Sequence, residues 1–309
     1  MADMNYVRNY FSDQAAQWVR SAYEQGGVYP VGAHRMRVAL EALIGRLGTT
    51  DTQLLDLGCG GGELAIHAAQ LGFNAVGVDL AEGMIDECNK KRQTLPFEIQ
   101  NRLRFICADA VRNQLPAGAF QAVAAMGLIE YLPNDDAFFK EVARLLKSGG
   151  FLAVSCRNRL FNLASFNPYT QREIKDRAAD ALIAELIEHT REPIPHDSLR
   201  RFLQKLKDLL PQLEQALSTD HESGGVTKAV SAFGQTRRQH TPHELAQAAR
   251  RHGLTGETFF GIHPHPLPPK FETHSPRFYN QFAAAYEVFE AHPISLIWSS
   301  AFIAVFQKP

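Results

Sequence analysis

The sequence predicts an α/β fold, a doubly wound and mostly parallel seven-stranded sheet that carries helical lid insertions. Short apolar segments alternate with segments of helical spacing between about residues 52 and 157, as in parallel sheets covered by helices. Glycines follow the first apolar segment, and an acidic residue lies at or near the end of each of the first three. Two later apolar segments, Thr258–Ile262 and Ile297–Phe306, complete the sheet, and we expect the last strand to be antiparallel.

The core segments are short and strongly patterned. Their predicted order is strand 53–57, helix 63–71, strand 75–79, helix 83–92, strand 103–107, strand 122–126, helix 135–146 and strand 151–156. Further along, Thr241 is expected to cap a helix whose first position is Pro242. Leucines at helical spacing between Leu199 and Leu213 predict an amphipathic helix, which Pro211 should break or kink.

The composition argues against several classes of protein. The chain has 32 basic and 33 acidic residues, so no basic surface for nucleic acid is indicated. No apolar run approaches the roughly 20 residues that a membrane helix needs, and the N-terminus lacks a signal-peptide pattern. The four cysteines are scattered without a C-x-x-C pair, which favours reduced, buried thiols in a cytoplasmic protein.

The first strand runs into the pattern D-x-G-x-G-x-G, from Asp56 to Gly62. Glycines between a strand and a helix let a ligand approach the backbone closely. A dinucleotide-binding loop needs a glycine at the sixth position counted from Gly58, and Glu63 occupies that position. The acid directly before the glycines suits the cationic amino end of a methionine moiety better than a pyrophosphate.

Two further aspartates follow the next strands. Asp79 ends the second strand about twenty residues further on, where an acid binds ribose hydroxyls in folds of this type. Asp109 follows the third strand and is placed to accept a hydrogen bond from an adenine amino group. Either acid alone could simply cap a loop. Together with Asp56, at the carboxyl ends of successive strands, they indicate a nucleoside site.

These motifs, taken in order, resemble those of the class I S-adenosylmethionine-dependent methyltransferases across most of the chain. Residues 54–62 are similar to the first motif, 76–79 to the ribose-binding strand, 106–110 to the adenine segment, and 126–132 with 145–150 to the fourth and fifth strands. Within the family, the N-terminal Phe11, Ser12, Ala16 and Trp18 are most similar to the ubiquinone-type small-molecule O-methyltransferases.

The resemblance implies a Rossmann-like methyltransferase fold with S-adenosyl-L-methionine as cofactor. The residues expected to bind it are Arg37, Asp56, Gly58, Cys59, Gly60, Gly62, Asp79, Leu80, Met84, Asp109, Ala110 and Met126. Arg37 is expected at the cofactor carboxylate, with Arg35 as the second choice. An ordinary exposed arginine is the alternative interpretation.

Four segments are expected along the chain: an N-terminal helical lid at 1–45, the cofactor-binding core at 46–157, a helical substrate lid at 158–237, and completion of the core at 238–309 with an insertion at 264–293. The insertions are larger than a minimal quinone-type enzyme needs. Glu130-Tyr131 also stands where that subfamily commonly has a Glu-His pair. These departures favour a glycan, a lipid-linked compound or a specialised metabolite as the acceptor.

A hydroxyl acceptor requires a general base, and a histidine that is neutral at the working pH suits this role. His263 and His265, just after the sixth strand, are the predicted catalytic residues, although loop histidines without a role are an equal alternative. No metal is expected, because no third ligand is evident near this pair. The residues expected at the substrate are Trp18, Tyr23, Tyr29, Arg157, Asn158 and His240, the last also a weaker candidate for the base.

The predicted function is methyl transfer from S-adenosylmethionine to a small molecule, with a hydroxyl as the favoured acceptor. Transfer to nitrogen or carbon stays open, as does a non-catalytic, cofactor-binding regulator. An aminopropyltransferase would need an acidic polyamine site, which the sequence does not show. The sequence assigns no oligomeric state.

Overall fold

The computed structural model describes residues 3–18, 29–219, 234–235 and 237–309, and within them it contains one seven-stranded sheet. The strands are β1 (Gln53–Leu57), β2 (Asn74–Asp79), β3 (Leu103–Cys107), β4 (Phe120–Met126), β5 (Leu146–Arg157), β6 (Thr255–Pro264) and β7 (Ser299–Gln307). Their order in the sheet is β3-β2-β1-β4-β5-β7-β6. The predicted fold class is therefore confirmed.

The sheet is parallel except at β7, as predicted. β7 pairs antiparallel with both β5 and β6, so β6 runs in the same direction as β5. The carboxyl ends of β1 to β6 consequently lie along one edge of the sheet. Strand order changes direction between β1 and β4, and open parallel sheets bind ligands in the crevice at such a point.

Helices cover both faces of the sheet. Those of the described residues are α1 (Met4–Asp13), α2 (Val31–Leu47), α3 (Glu63–Gln70), α4 (Glu82–Gln93), α5 (Phe97–Asn101), α6 (Asp135–Leu145), α7 (Asn162–Ser165), α8 (Pro168–Lys175), α9 (Ala179–His189), α10 (His196–Thr219), α11 (Pro242–Arg250), α12 (Pro276–Ala285) and α13 (Ser295–Trp298). Short 3₁₀ turns lie at Ile129–Tyr131, Pro269–Thr273 and Tyr286–Phe289.

Alternation along β1 sends side chains into two cores. Leu55 and Leu57 join the core beneath α6 and α11, whereas Leu54 joins the core beneath α2 and α3. All three leucines are fully buried. A parallel strand covered on both faces must be apolar on both, which explains the nearly continuous apolar run that predicted it.

Two predictions were made about the limits of later helices, one for the start of α11 and one for Pro211 in α10. α11 begins at Pro242 with Thr241 as its N-cap, and the Thr241 hydroxyl and the Glu244 carboxylate form a capping box, as Thr241 and Pro242 predicted. Pro211 was predicted to break or kink its helix, and the break does not occur, because α10 runs without interruption from His196 to Thr219. Pro211 is exposed, so water can bond the carbonyl that loses its helical partner.

Three of the four cysteines are buried free thiols, as expected, but Cys107 at the end of β3 is exposed. No helix of the described residues is long and apolar enough to cross a membrane. The described residues also contain no cluster of three or more histidine, cysteine or acidic side chains that could hold a metal ion.

Candidate functional site

A cavity of about 700 Å³ opens at the carboxyl edge of the sheet, over the change in strand order. This volume falls within the range of small-molecule sites. Its floor is formed by Gly58 and Gly60 after β1, Asp79 at the end of β2, Asp109 after β3 and Met126 at the end of β4. The sheet therefore brings the predicted loop and two of the predicted acids to one site.

The glycine loop needs its glycines for two reasons. Gly58, Gly60 and Gly62 have φ values of 71°, 52° and 83°, in the left-handed region that side chains disfavour. A Cβ atom on Gly62 would also lie 2.8 Å from Cζ of Phe105, so the loop could not pack against β3. Gly62 thus serves the packing of the loop and does not line the cavity.

Asp79 joins the loop to the second strand. Its Oδ2 accepts a hydrogen bond of 2.9 Å from the Gly60 N–H, and its Oδ1 accepts one of 2.9 Å from the Ala81 N–H. Burial raises the pKa of this carboxyl, although the backbone donors oppose the change. The backbone donors hold the carboxylate in place, and it retains acceptor capacity for a ribose hydroxyl.

Asp56 lies beneath the loop and not on the cavity wall. It is 2% exposed, accepts the Ala65 N–H, and its Oδ2 has no partner among the described residues. Burial, followed by repulsion from Asp79 and Glu63, raises the pKa of Asp56 to about 8. A cationic group close to this carboxyl would favour its ionised form.

Of the two arginines of α2 considered for the cofactor carboxylate, Arg35 lies at the cavity and Arg37 does not. Arg37, predicted at the cofactor carboxylate, does not line the cavity, because its guanidinium donates to both carboxylate oxygens of Glu290 at 3.0 and 2.7 Å. Arg35, the second choice, lines the cavity. A Cβ atom placed on Gly127, just after β4, would lie 2.8 Å from Nη1 of Arg35, which locates this guanidinium at the centre of the sheet edge.

The remaining predicted cofactor residues divide between the cavity wall and the layer below it. Leu80, Met84 and Ala110 line the cavity. Cys59 lies below, where its thiol contacts that of Cys88 in a small cluster.

The other half of the cavity is walled by a column of rings. Tyr29 stacks on His263 with ring centroids 4.7 Å apart, the centroids of His263 and His265 are 4.2 Å apart, and Phe161 stacks on His265 at 4.7 Å. The column joins the start of α2, the end of β6 and the segment after β5. His263 itself has a φ of 57°, a strained conformation for a residue other than glycine, which orients its ring into the column.

Hydrogen bonding fixes the tautomer of His265. The Tyr279 hydroxyl donates its one proton to the carbonyl of Leu267 at 2.6 Å. It also lies 2.6 Å from Nδ1 of His265, so Nδ1 must be the donor in that bond. Nε2 therefore carries the lone pair of the neutral ring and has no partner among the described residues. Burial lowers the pKa of His265 to about 4, which keeps the ring neutral at physiological pH.

His263 is less constrained. Its Nδ1 lies 3.0 Å from the Ser300 hydroxyl, which can donate or accept, so either tautomer is compatible with the contact. Burial lowers the pKa of His263 well below its usual value, and the charges of nearby side chains, Arg35 and Arg157 among them, lower it further.

The predicted substrate residues have different positions. Trp18, Tyr29, Arg157 and Asn158 line the cavity, with the Trp18 ring over Gly60 and so on the cofactor side. Asn158 also holds the chain, because its amide donates to the carbonyls of Leu296 and Ser299.

Two further predictions for the substrate lie away from this cavity. His240 does not line it, because its Nε2 is bonded to Asp135 at 3.0 Å in a neighbouring depression. Tyr23 falls outside the described residues.

Sequence reasoning missed several cavity residues: Glu130, Tyr131, Phe161 and Arg237. Glu130 and Tyr131 were noted only as a departure from a family motif. Phe161 lies in an insertion whose sequence carries no periodic signal before its helices begin. Tyr279, which orients His265, lies 14 residues further along, a separation that no short motif spans.

Comparison with known proteins agrees with this geometry. The methyltransferase domain family matches residues 55–154, which include the glycine loop, Asp79 and Asp109. The ubiquinone biosynthesis O-methyltransferase of Xanthomonas axonopodis pv. citri is 34% identical over 122 residues, 40% of this chain and 50% of the relative. The namesake from Coxiella burnetii is 30% identical over 151 residues, 49% of this chain and 61% of the relative.

The chain thus spans about half the length of the first of these relatives. Among solved structures, the magnesium protoporphyrin IX methyltransferase of Synechocystis with bound S-adenosylhomocysteine has a TM-score of 0.54 at 16% identity, covering 99% of this chain and 100% of its own. That similarity establishes the fold. The family match confirms the predicted methyltransferase domain, with S-adenosylmethionine as the cofactor of that domain.

Proposed function

We propose that this chain transfers the methyl group of S-adenosylmethionine to a hydroxyl group of a small molecule, with His265 as the general base. The observation that carries the proposal is the tautomer of His265, a neutral imidazole beside the cofactor cavity whose buried Nε2 lone pair has no partner among the described residues. The preferred acceptor classes remain a glycan, a lipid-linked compound or a specialised metabolite.

The residues present fit the cofactor. Asp79 has two carboxylate oxygens for the ribose, Arg35 supplies a guanidinium for the carboxylate, and Asp56 has an unpartnered buried oxygen beneath the glycine loop. When bound, S-adenosylmethionine supplies an activated methyl group on a sulfonium. The protein then has to hold the acceptor in line and exclude water.

His265 suits a hydroxyl acceptor for two reasons. A pKa of about 4 leaves the ring almost entirely unprotonated at neutral pH, so it is available to accept a proton. Its Nδ1–H is directed to the Tyr279 oxygen, so the ring stays oriented while Nε2 takes the proton of the acceptor hydroxyl. Tyr279 acts here as a positioning residue.

The proposal is tested with the full chain in two steps. Calorimetry with S-adenosylhomocysteine should show specific binding. Incubation with S-adenosylmethionine and a panel of hydroxylated small molecules should then yield S-adenosylhomocysteine, while the matched methyl ethers, whose hydroxyls are blocked, yield none. A chain that binds no S-adenosylhomocysteine, or that methylates amines and not hydroxyls, would overturn the proposal.

A further inference from the structure

The acceptor side of the cavity contains a cation without a protein anion. Arg157 ends β5 and lines the cavity, and the carbon of its guanidinium lies 6.0 Å from the centre of the Tyr169 ring. Its Nε is buried and unpartnered. Among the residues that the structure describes, no carboxylate lies within the 4.0 Å of an ion pair with Arg157.

Two other arginines near this end of the sheet are paired with carboxylates, unlike Arg157. Arg159, two residues along, is paired with Glu173 and Glu244, and Arg37 is paired with Glu290. Among the described residues that line the cavity, neither Arg35 nor Arg157 has a carboxylate within the 4.0 Å of an ion pair. A partly buried charge is costly unless an opposite charge compensates it. The buried carboxylate of Glu130 also lines the cavity but forms no ion pair with either guanidinium, so each of the two still has capacity for an anion from a ligand.

The cofactor can satisfy only one of them, because S-adenosylmethionine has a single carboxylate. The order of the strands in the sheet shows which of the two arginines lies nearer the cofactor. The residues that fit the cofactor follow β1, β2 and β3, whereas Arg157 ends β5, on the side of the sheet that leads to β6 and the histidines. Arg35 lies beside Gly127, after the central strand β4. The cofactor carboxylate is therefore assigned to Arg35.

We infer that the acceptor is itself an anion, and that Arg157 binds its carboxylate or phosphate group while the hydroxyl to be methylated lies at His265. This inference rests on the proposed function and narrows its substrate class to acidic hydroxylated compounds. Arg157 and His265 belong to the same half of the cavity, since Arg157 pairs through its backbone with β7, the strand between β5 and β6. Tyr169 provides a ring face beside the guanidinium, which limits the directions from which an anion can approach it.

Equilibrium binding tests the inference without turnover. The chain is saturated with S-adenosylhomocysteine and titrated with 3,4-dihydroxybenzoate or with the neutral 3,4-dihydroxybenzamide, which has nearly the same shape. A charge-assisted hydrogen bond to the carboxylate should make the benzoate bind about tenfold to a hundredfold more tightly. Arg157→Gln should abolish that preference and leave the affinity for S-adenosylhomocysteine unchanged, and Arg157→Lys should keep part of it.

Arg35→Gln is the matched variant. It should weaken S-adenosylhomocysteine and, once the cofactor product is added to saturation, keep the preference for the benzoate. Equal binding of the two probes by the wild type, including no detectable binding of either, would overturn the inference, as would a preference that survives Arg157→Gln. Failure of the proposed function would differ, because the wild type would then not bind S-adenosylhomocysteine, or would bind both ligands and transfer no methyl group.

Discussion

Replacement of His265 by asparagine removes the predicted base and little else. The asparagine amide reaches approximately as far as Nδ1, so it can still donate to the Tyr279 hydroxyl, but it has no atom at the position of Nε2. General-base assistance is typically worth about 10² to 10⁴ in rate, and we expect kcat to fall within that range. Affinity for S-adenosylhomocysteine should not change, because Asp79 and Arg35 lie in the other half of the cavity.

The pH dependence of the wild type gives a sharper expectation. With the pKa of His265 lowered to about 4 by burial, about one ring in a thousand is protonated at pH 7. The rate should therefore stay level as the pH falls from 7 to about 5 and decline only towards pH 4. An exposed histidine would lose activity from about pH 6.5.

His265 should also make the free energy of unfolding depend on pH. Between about pH 6.5 and pH 4 the unfolded chain binds a proton at His265 and the folded chain does not, so acid favours unfolding in this window. Two and a half pH units at about 1.4 kcal/mol each give about 3.5 kcal/mol, which the asparagine variant should not lose. Urea unfolding at several pH values measures this difference.

The assay is the initial rate of S-adenosylhomocysteine formation at saturating acceptor, from pH 4 upwards at constant ionic strength, with circular dichroism to verify folding. His67→Asn serves as the control, since His67 is exposed on α3 and bonds only Gln70 among the described residues. A His265→Asn enzyme with near-wild-type kcat would refute the assignment of the base. So would a wild-type rate that already declines near pH 6.5.

Four other predictions follow from contacts described above. Tyr279→Phe removes the hydrogen bonds to His265 and Leu267, and kcat should fall about tenfold or more with KM for S-adenosylmethionine and the circular dichroism spectrum unchanged; a raised KM or an altered spectrum would indicate general damage. Asp79→Ala should weaken S-adenosylhomocysteine by about tenfold to a hundredfold in calorimetry, and an unchanged affinity would mean that the pocket is misassigned. At pH 7, binding of S-adenosylmethionine should release about one proton from Asp56, whose pKa of about 8 falls when a cation approaches; calorimetric enthalpies that do not depend on the ionisation enthalpy of the buffer would contradict this. Helix α1, which contributes to the cavity wall, should gain amide-exchange protection when S-adenosylhomocysteine binds, whereas equal protection in both states would make it a rigid part of the fold.

The strands of the core could be predicted because each is recognisable from its own local sequence. β1, β2 and β4 are buried on both faces, so they are apolar throughout, and the glycine loop marks where the first one ends. The acids at the strand ends then followed from the geometry of parallel sheets. What the pattern did not reveal is that Asp56 lies under the loop. Asp56 is still within β1, so the alternation of the strand sets the direction of its side chain, and the loop after it turns through φ values of 71° and 52° at Gly58 and Gly60.

The choice between Arg35 and Arg37 could not be made from the sequence. Two positions apart on a helix, they point about 200° away from each other, and the side that faces the cavity is set by how α2 packs. Glu290, which binds Arg37, is more than 250 residues away. The tautomer of His265 could not be predicted either, because it depends on contacts with Tyr279 and Leu267. These contacts form in a segment whose sequence has no regular pattern.

The double attachment of Asp79 limits how this protein could be redesigned for synthetic cofactors. Analogues altered at the ribose would need room or a new partner there, and the obvious change is to shorten Asp79. That change would also release the N–H groups of Gly60 and Ala81, so the glycine loop would lose its anchor together with the ribose. Enlargement is better directed at Met84 in the cavity wall, a flexible side chain that forms no hydrogen bond with the backbone of the described residues.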